Sequence, residues 1–343
     1  MKKIIMLIVT LLGAMTASAQ IATLSHEGQI SAFYGENSLI EAMNAATHGD
    51  IISLSSGRFN ATNITKRVTL RGTGMSSSSD PEDMHEATVI VGNCNINVPD
   101  TLSETLNMES LYFINDIKTT IGSYCLKKAQ FTKCRFNSFG YGPNAVGFKQ
   151  VDVSFTHCRF SYFVANNNSQ ITFMNCIINK PYIYSGYTNY NNCFVRIENY
   201  YSNESENRRF KNCIIHLCGN NSAYLTSNTM ASNCIGVCGS STMFDKMTTG
   251  NTTNTYVSDI TMVFKTFSNT GTKEITDSEV FELTETAAQT YLGDDGTQVG
   301  IYGGVLPYDE RPLNPKITKC NVASKTTADG KLSVDIEVSA AGY

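Results

Sequence analysis

Six short stretches of this chain follow one pattern. They are Phe131-Thr132-Lys133-Cys134-Arg135-Phe136, Phe155-Thr156-His157-Cys158-Arg159-Phe160, Phe173-Met174-Asn175-Cys176-Ile177-Ile178, Tyr190-Asn191-Asn192-Cys193-Phe194-Val195, Phe210-Lys211-Asn212-Cys213-Ile214-Ile215 and Ala231-Ser232-Asn233-Cys234-Ile235-Gly236. Their cysteines lie 24, 18, 17, 20 and 21 residues apart. Five of the six have a large apolar or aromatic residue three positions before the cysteine, and four have Asn immediately before it. A unit of about 20 residues cannot enclose a core alone; it buries a face by stacking on its neighbours, so the pattern predicts a solenoid.

Within a unit, strand alternation puts the cysteine and the residue two after it on one inward face. The odd step from the −3 position to the cysteine requires a bend between two strands. Asn suits the bend, because it tolerates the left-handed conformation and its amide bonds its surroundings. Stacking then sets Asn175, Asn192, Asn212 and Asn233 above one another as a ladder of side-chain amides. Cys134, Cys158, Cys176, Cys193, Cys213 and Cys234 form a parallel inward ladder. Gly92-Asn93-Cys94-Asn95-Ile96 fits the same phase two units earlier, with Ile114 between.

The pattern resembles the right-handed, single-stranded parallel β-helix of the pectate-lyase-like superfamily. The stretch Ser38-Leu39-Ile40-Glu41-Ala42-Met43-Asn44-Ala45-Ala46-Thr47-His48-Gly49-Asp50-Ile51-Ile52 looks like the entry to such helices. Ser56-Gly57-Arg58-Phe59 and Ile64-Thr65-Lys66-Arg67-Val68-Thr69-Leu70-Arg71-Gly72 follow in the same style. The resemblance spans residues 37 to about 265, at the level of fold, and points to exported proteins of Bacteroidetes type. It implies an all-β solenoid and a superfamily whose enzymes act on polysaccharides, often acidic ones. One fold hosts many activities, so function has to be sought in the site.

Residues 1–19 read as an export signal: Lys2 and Lys3, an apolar core from Ile4 to Leu12, and Ala17-Ser18-Ala19 before Gln20. No cysteine follows Ala19 directly to take a lipid anchor, and the apolar run is too short to span a bilayer. The expectation is an exported protein without membrane insertion, in the periplasm, at the cell surface or outside the cell. Removing Lys2 and Lys3 takes the formal charge from −4 to −6, which argues against nucleic acid and anionic membrane surfaces as partners.

Residues 20–311 are expected to form one elongated β-helix domain: a helix at about 38–48, coils at about 50–267 and a closing segment at about 268–311. Ser38 and Glu41 have capping-box spacing, and Leu39, Ile40, Met43 and Ala46 share a face, so this helix is expected to plug the open end of the stack. Ile260, Met262, Phe264 and Phe267 suggest a last coil, and residues 284–292 a short helix. Gly74 to Glu86 breaks the repeat and reads as a protruding, solvated loop. Asp100-Thr101-Leu102 resembles the O-glycosylation acceptor of Bacteroidetes. Asp294 to Gly304 resembles a segment that closes β-helices. Residues 312–343 read as a small β-hairpin tail, alternating at Leu332, Val334, Ile336 and Val338. Two strands alone are marginal, so the tail is expected to pack on the solenoid, a second copy or a protein partner.

Eleven cysteines in an exported chain raise the question of disulfides. The periodic spacing favours small buried thiols, because in-register parallel strands make the disulfide dihedral awkward. Disulfides between neighbouring coils remain the alternative. The chain has no Cys-x-x-Cys pair and its five histidines are scattered, so no metal site is expected.

A lyase needs a cation or cationic side chains to neutralise a uronate, and a base. A hydrolase needs paired carboxylates. Asp116, Asp152, Glu198, Glu204, Glu206 and Asp245 are sparse and do not recur with the repeat. Asp116 with Lys118, or Asp152 with Lys149, are the catalytic candidates; their other reading is ordinary surface charge. Arg135 and Arg159 occupy equivalent places in neighbouring units, with Lys133 and His157 alongside, and form a basic patch for a sugar carboxylate or sulfate. Tyr182, Tyr184, Tyr187, Tyr200 and Tyr201 crowd into 20 residues and suggest a platform for sugar rings, with Tyr190 turned inward. The sequence therefore favours binding of a polysaccharide or cell-surface glycan with no cofactor. The alternatives are a lyase (with calcium in some mechanisms) or glycoside hydrolase acting on acidic polysaccharide, and a structural or adhesive solenoid.

Overall fold

A computed structural model describes residues 20–78, 86–99, 103–118, 125–141, 149–165, 168–183, 185–197, 206–218, 225–239, 241–245, 247, 253–267, 275, 279–312, 316–322, 325 and 330–339. Among the described residues strands hold 49% and helices 7%, an all-β composition. It winds as a parallel β-solenoid of about 8 turns. Most turns give one strand to each of two sheets, of 11 and 13 strands among the described residues. The first sheet runs from Ile51–Leu54 to Thr229–Ser232, with Ile21–His26 and Gln29–Tyr34 added antiparallel at its start. The second runs from Gly57–Asn60 to Thr255–Val257.

The bend between the sheets lies at the residue before the cysteine. Asn175, Asn192, Asn212 and Asn233 have φ of 48°, 51°, 55° and 51°, in the left-handed region. Lys133 and His157 hold the same bend at 52° and 53°, as does Ser110 at 56°. A non-glycine residue pays for that conformation, and stacking supplies the return. The Lys133, Asn175 and Asn212 N–H groups donate to carbonyls of the next turn, at Thr156, Asn191 and Ser232.

The residues three before the cysteine stack in register. The rings of Phe131, Phe155, Phe173, Tyr190 and Phe210 are spaced 4.8, 5.1, 5.1 and 4.7 Å apart. This repeats the ~4.8 Å distance between strands, so each ring lies flat on the next. Phe113, Phe136 and Phe160 stack likewise on the opposite wall, at 5.4 and 5.0 Å.

The six cysteines of the repeat are buried between these walls as free thiols. Each accepts its place through the carbonyl two residues earlier; the Cys158 thiol donates to Thr156 and that of Cys213 to Lys211. Burial pushes the thiols of Cys158, Cys193 and Cys234 up, and that of Cys94 to about 12; burial acts the same way on Cys176 and Cys213, but hydrogen bonds from the neighbouring thiols outweigh it and lower them. Only a thiolate is a good nucleophile. All six ladder thiols are in addition buried away from the reagent, so iodoacetamide on the native chain at about pH 8 should leave them unmodified, and alkylate them all in denaturant. Peptide mass mapping checks this.

The early turns depart from the expected phase. Leu111, not Ile114, precedes Cys134 in its column, because the bend falls at Ser110. Cys94 pairs with Ile117, farther along the strand, and stands outside the ladder. Nothing in this part of the sequence marks the bend with Asn. The expected last coil is also corrected. The described solenoid strands end at Thr255–Val257, Ile260–Met262 is a 3-10 helix, and Met262 is exposed. Ile260, Phe264 and Phe267 have helical rather than strand spacing. They pack with Phe281 and Leu283 over Ile177, Phe194, Ile214 and Ile235, forming a second core outside the second sheet.

Helix Ser38–Ala45 places Leu39, Ala42 and Met43 in the same core as Ile52 and Leu54. Its N-cap is Asn37, without a side-chain cap bond, so the Ser38–Glu41 capping box is not formed. A second described α-helix, Glu285–Thr290, is capped by the Thr284 hydroxyl, which accepts from Ala287 N–H. Lys316–Val322 and Val334–Ser339 pair antiparallel. The signal-like residues 1–19 and Asp100-Thr101-Leu102 lie outside the described residues.

Candidate functional site

Residues 292–311 run along the left-handed bends as a strap. Asp294 Oδ1 accepts from the Asn212 amide at 3.0 Å, and Asp294 Oδ2 pairs with Lys211 at 2.7 Å. The Asn175 amide donates to Ile301 O and Gly303 O, both at 2.8 Å. His157 Nε2 lies 3.0 Å from Leu306 O. Lys133 Nζ donates to Asp309 Oδ2 at 3.1 Å and Arg311 O at 2.8 Å. The expected ladder of amides bonded along the axis is thus corrected. The bends do stack, but the Asn175 and Asn212 side chains turn to the strap, whose free backbone groups need partners. The segment expected to close the β-helix lies along its side.

The strap and the second sheet border an open cleft of about 660 Å³. Its floor is one column of outward residues in register: Val89, Tyr112, Arg135, Arg159 and Ile177. One wall is Met75 to Ser78 with Ala87; the other is Tyr302 and the run from Tyr308 to Arg311; Glu279, Val280 and Phe281 also line it. Met75 is anchored in the second core, and Ser77 Oγ accepts from Ala87 N–H. The described part of the loop after Gly74 is therefore a built wall, a correction to its reading as a solvated protrusion.

Arg135 stacks on Tyr112, with Cζ 4.4 Å from the ring centroid. Arg159 lies on the next strand, directly in register. The Tyr308 hydroxyl donates to Glu310 Oε1 at 2.8 Å. Burial, then Glu310, pushes the Tyr308 phenol well up, so it stays a donor. Tyr302 is raised by burial and by Glu310 and Glu282. Guanidinium groups, phenols and carboxylates meet here around a volume of the size that holds a small ligand. The two arginines suit a carboxylate or sulfate, and the Tyr and Glu groups suit sugar hydroxyls.

The other sequence candidates lie elsewhere. Asp116 and Lys118 form a surface ion pair of 3.1 Å on the second sheet. Asp152 is exposed at a bulge of the first sheet, with φ of 56°, so these candidates do not converge. Tyr182 packs on Tyr162, centroids 5.0 Å apart, in the second sheet. Tyr187 is 55% exposed on the first sheet. Tyr190 is buried in the ring stack, as expected. Tyr184, Tyr200 and Tyr201 lie outside the described residues. Tyr112, Glu279, Tyr302, Tyr308, Glu310 and Arg311 were missed. Only Tyr112 carried a signal, since it holds the place equivalent to Arg135 in the preceding turn.

The strap's ionisable groups give it a pH dependence of one sign. Burial lowers the pKa of His157, against the Leu306 carbonyl, which raises it. A base lowered on folding contributes fully above its ordinary 6.5 and less as pH falls below it. Burial would raise Asp309, but hydrogen bonds from Arg311 and Lys133 outweigh it and hold the carboxyl at about 2. That contribution is present above the ordinary 3.8 and lost as pH falls toward 2. His216, lowered to about 4 by burial and by Arg196, acts in the same direction. Stability in urea should therefore fall steadily from about pH 7 to about pH 3. His157→Asn, which keeps a residue suited to the bend, should shrink the part of the loss that begins near 6.5. An unchanged profile would show that His157 does not hold the strap.

The fold and the cleft together define a class: an all-β parallel solenoid with a cleft on its side lined by tyrosines, arginines and carboxylates. Comparison with protein-family models, with curated proteins and with solved structures gives no match.

Proposed function

We propose that this chain is an exported right-handed parallel β-helix of the pectate-lyase-like, Bacteroidetes kind that binds an acidic polysaccharide or cell-surface glycan in the cleft over Arg135 and Arg159. Helix Ser38–Ala45 covers the N-terminal end of the coil, where its apolar face joins the core of the first turns. Export is supported by residues 1–19; among the described residues no helix is long and apolar enough to cross a membrane.

The observation that carries the binding reading is the pair of in-register guanidinium groups on the floor of an open cleft whose wall presents tyrosines. The test is retention of the mature chain on immobilised polygalacturonate and on a sulfated galactan. Arg135→Gln with Arg159→Gln should weaken binding about 100-fold, taking about 1.5 kcal/mol for each charged hydrogen bond. Equal retention of wild type and variant, with equal thermal midpoints, would sink the reading.

One observation favours a second reading, a polysaccharide lyase or glycoside hydrolase. Glu279, Asp309 and Glu310 line the same cleft as the arginines. A lyase would raise near-ultraviolet absorbance on uronate polymers as unsaturated ends form, and a hydrolase would release reducing ends without that rise. Neither signal across a panel with and without calcium would remove it.

A further inference from the structure

The first sheet turns a different face to solvent, on the other side of the strapped bend. Its outward residues form columns across four adjacent strands. Thr172, Asn189, Arg209 and Met230 are in register, as are Met174, Asn191, Lys211 and Ser232. Beside them stand Gln170, Tyr187 and Asn207. A hollow of about 420 Å³ lies over the first two columns, and no carboxylate is among its described lining residues. Arg209 is exposed, and Tyr187, two residues along the strand from Asn189, shows its ring to solvent. Lys211 is tied to Asp294 of the strap.

We propose that this face, around Arg209 and Tyr187, is a second site for acidic glycan, so that one chain grips two polysaccharide segments at once. The occupant follows from the chemistry. Amides and hydroxyls repeat at every strand, about 4.8 Å apart, and can bond a run of sugar hydroxyls. A tyrosine offers a ring for stacking, and the charge is cationic. The hollow is open, and Met230, exposed at its edge, adds an apolar surface beside the amides, hydroxyls and cations. The proposal rests on the glycan reading of the cleft. It adds a consequence which the cleft alone does not give: two sites facing apart cross-link chains, and avidity then exceeds either affinity.

The experiment is calorimetric titration of the whole chain with tetragalacturonate and with a chondroitin sulfate tetrasaccharide, each too short to reach both faces. Wild type is expected to bind two per chain. Tyr187→Ala with Arg209→Gln should leave one, at the affinity of the cleft; Arg135→Gln with Arg159→Gln should leave the other. Each lost site should weaken by about tenfold or more. Beads coated with polygalacturonate should clump with wild type and with neither double variant. One site in wild type, removed by the Arg135 and Arg159 changes and untouched by those at Tyr187 and Arg209, overturns the second site and leaves the cleft standing. One site with the opposite response overturns the cleft and the double grip. No binding overturns both. Tyr187 and Arg209 are exposed, so an unchanged urea midpoint is expected and excludes misfolding as the cause.

Discussion

Phe155→Ala is expected to destabilise the solenoid by about 3–5 kcal/mol, read as a fall in the urea midpoint. Phe155 is fully buried and lies flat between Phe131 and Phe173, at 4.8 and 5.1 Å. Its edge meets Phe139 and Phe160 at 5.1 and 5.0 Å. Truncation removes the ring from both the column and the opposite wall. The backbone cannot close the gap, because the strand spacing is set by hydrogen bonds on both sides, so the cavity term is kept in full. Tyr187→Ala on the outer face of the same sheet should change stability by about 0.5 kcal/mol or less. Equal effects at the two positions would mean that the rings are not stacked inside the coil.

Asn175→Ala should cost about 2–4 kcal/mol. Two hydrogen bonds to the strap contribute about 0.5–1.5 kcal/mol each, and a left-handed residue that is not Gly or Asn adds about 1 kcal/mol. Asn175→Gly separates these contributions, since glycine restores the bend and not the amide. It should recover only the conformational part. The strap should loosen in both variants, and binding in the cleft should weaken with it, because Tyr302 and Tyr308 ride on the strap. Gly303→Ala approaches the same contact from the other side: its added Cβ overlaps the Gln298 carbonyl and crowds the Asn192 amide. If Asn175→Ala left both stability and binding unchanged, the strap would not be held by these amides.

The repeat was legible because everything that defines it is local: the bend, the cysteine and the inward residues fall within six positions of each other. Arg135 and Arg159 were legible for the same reason, as equivalent positions in adjacent turns. The strap was not. Its partners lie 149 residues away for His157 with Leu306 and 126 for Asn175 with Ile301, and its glycine-rich run has no period. Glu310 and Arg311 fall at the end of the segment expected to close the coil, with no motif to mark them as part of a site. The tyrosine cluster misled in a different way. Tyr182 and Tyr187 are close in sequence, but the chain changes sheets between them, so nearness along the chain is not nearness on one face.

The strap also sets an order of events. A solenoid grows turn by turn, each turn seated on the one before, and the column from Tyr112 to Ile177 is complete before the chain has reached its last third. Yet the wall facing that column belongs to residues near 308, which must travel back past several finished turns to dock on Lys133. While the chain emerges, the scaffold is present and the cleft is not. A truncated or half-made molecule would have the floor of the site without its wall. Competence to hold a ligand there would then report that synthesis and folding had run their course.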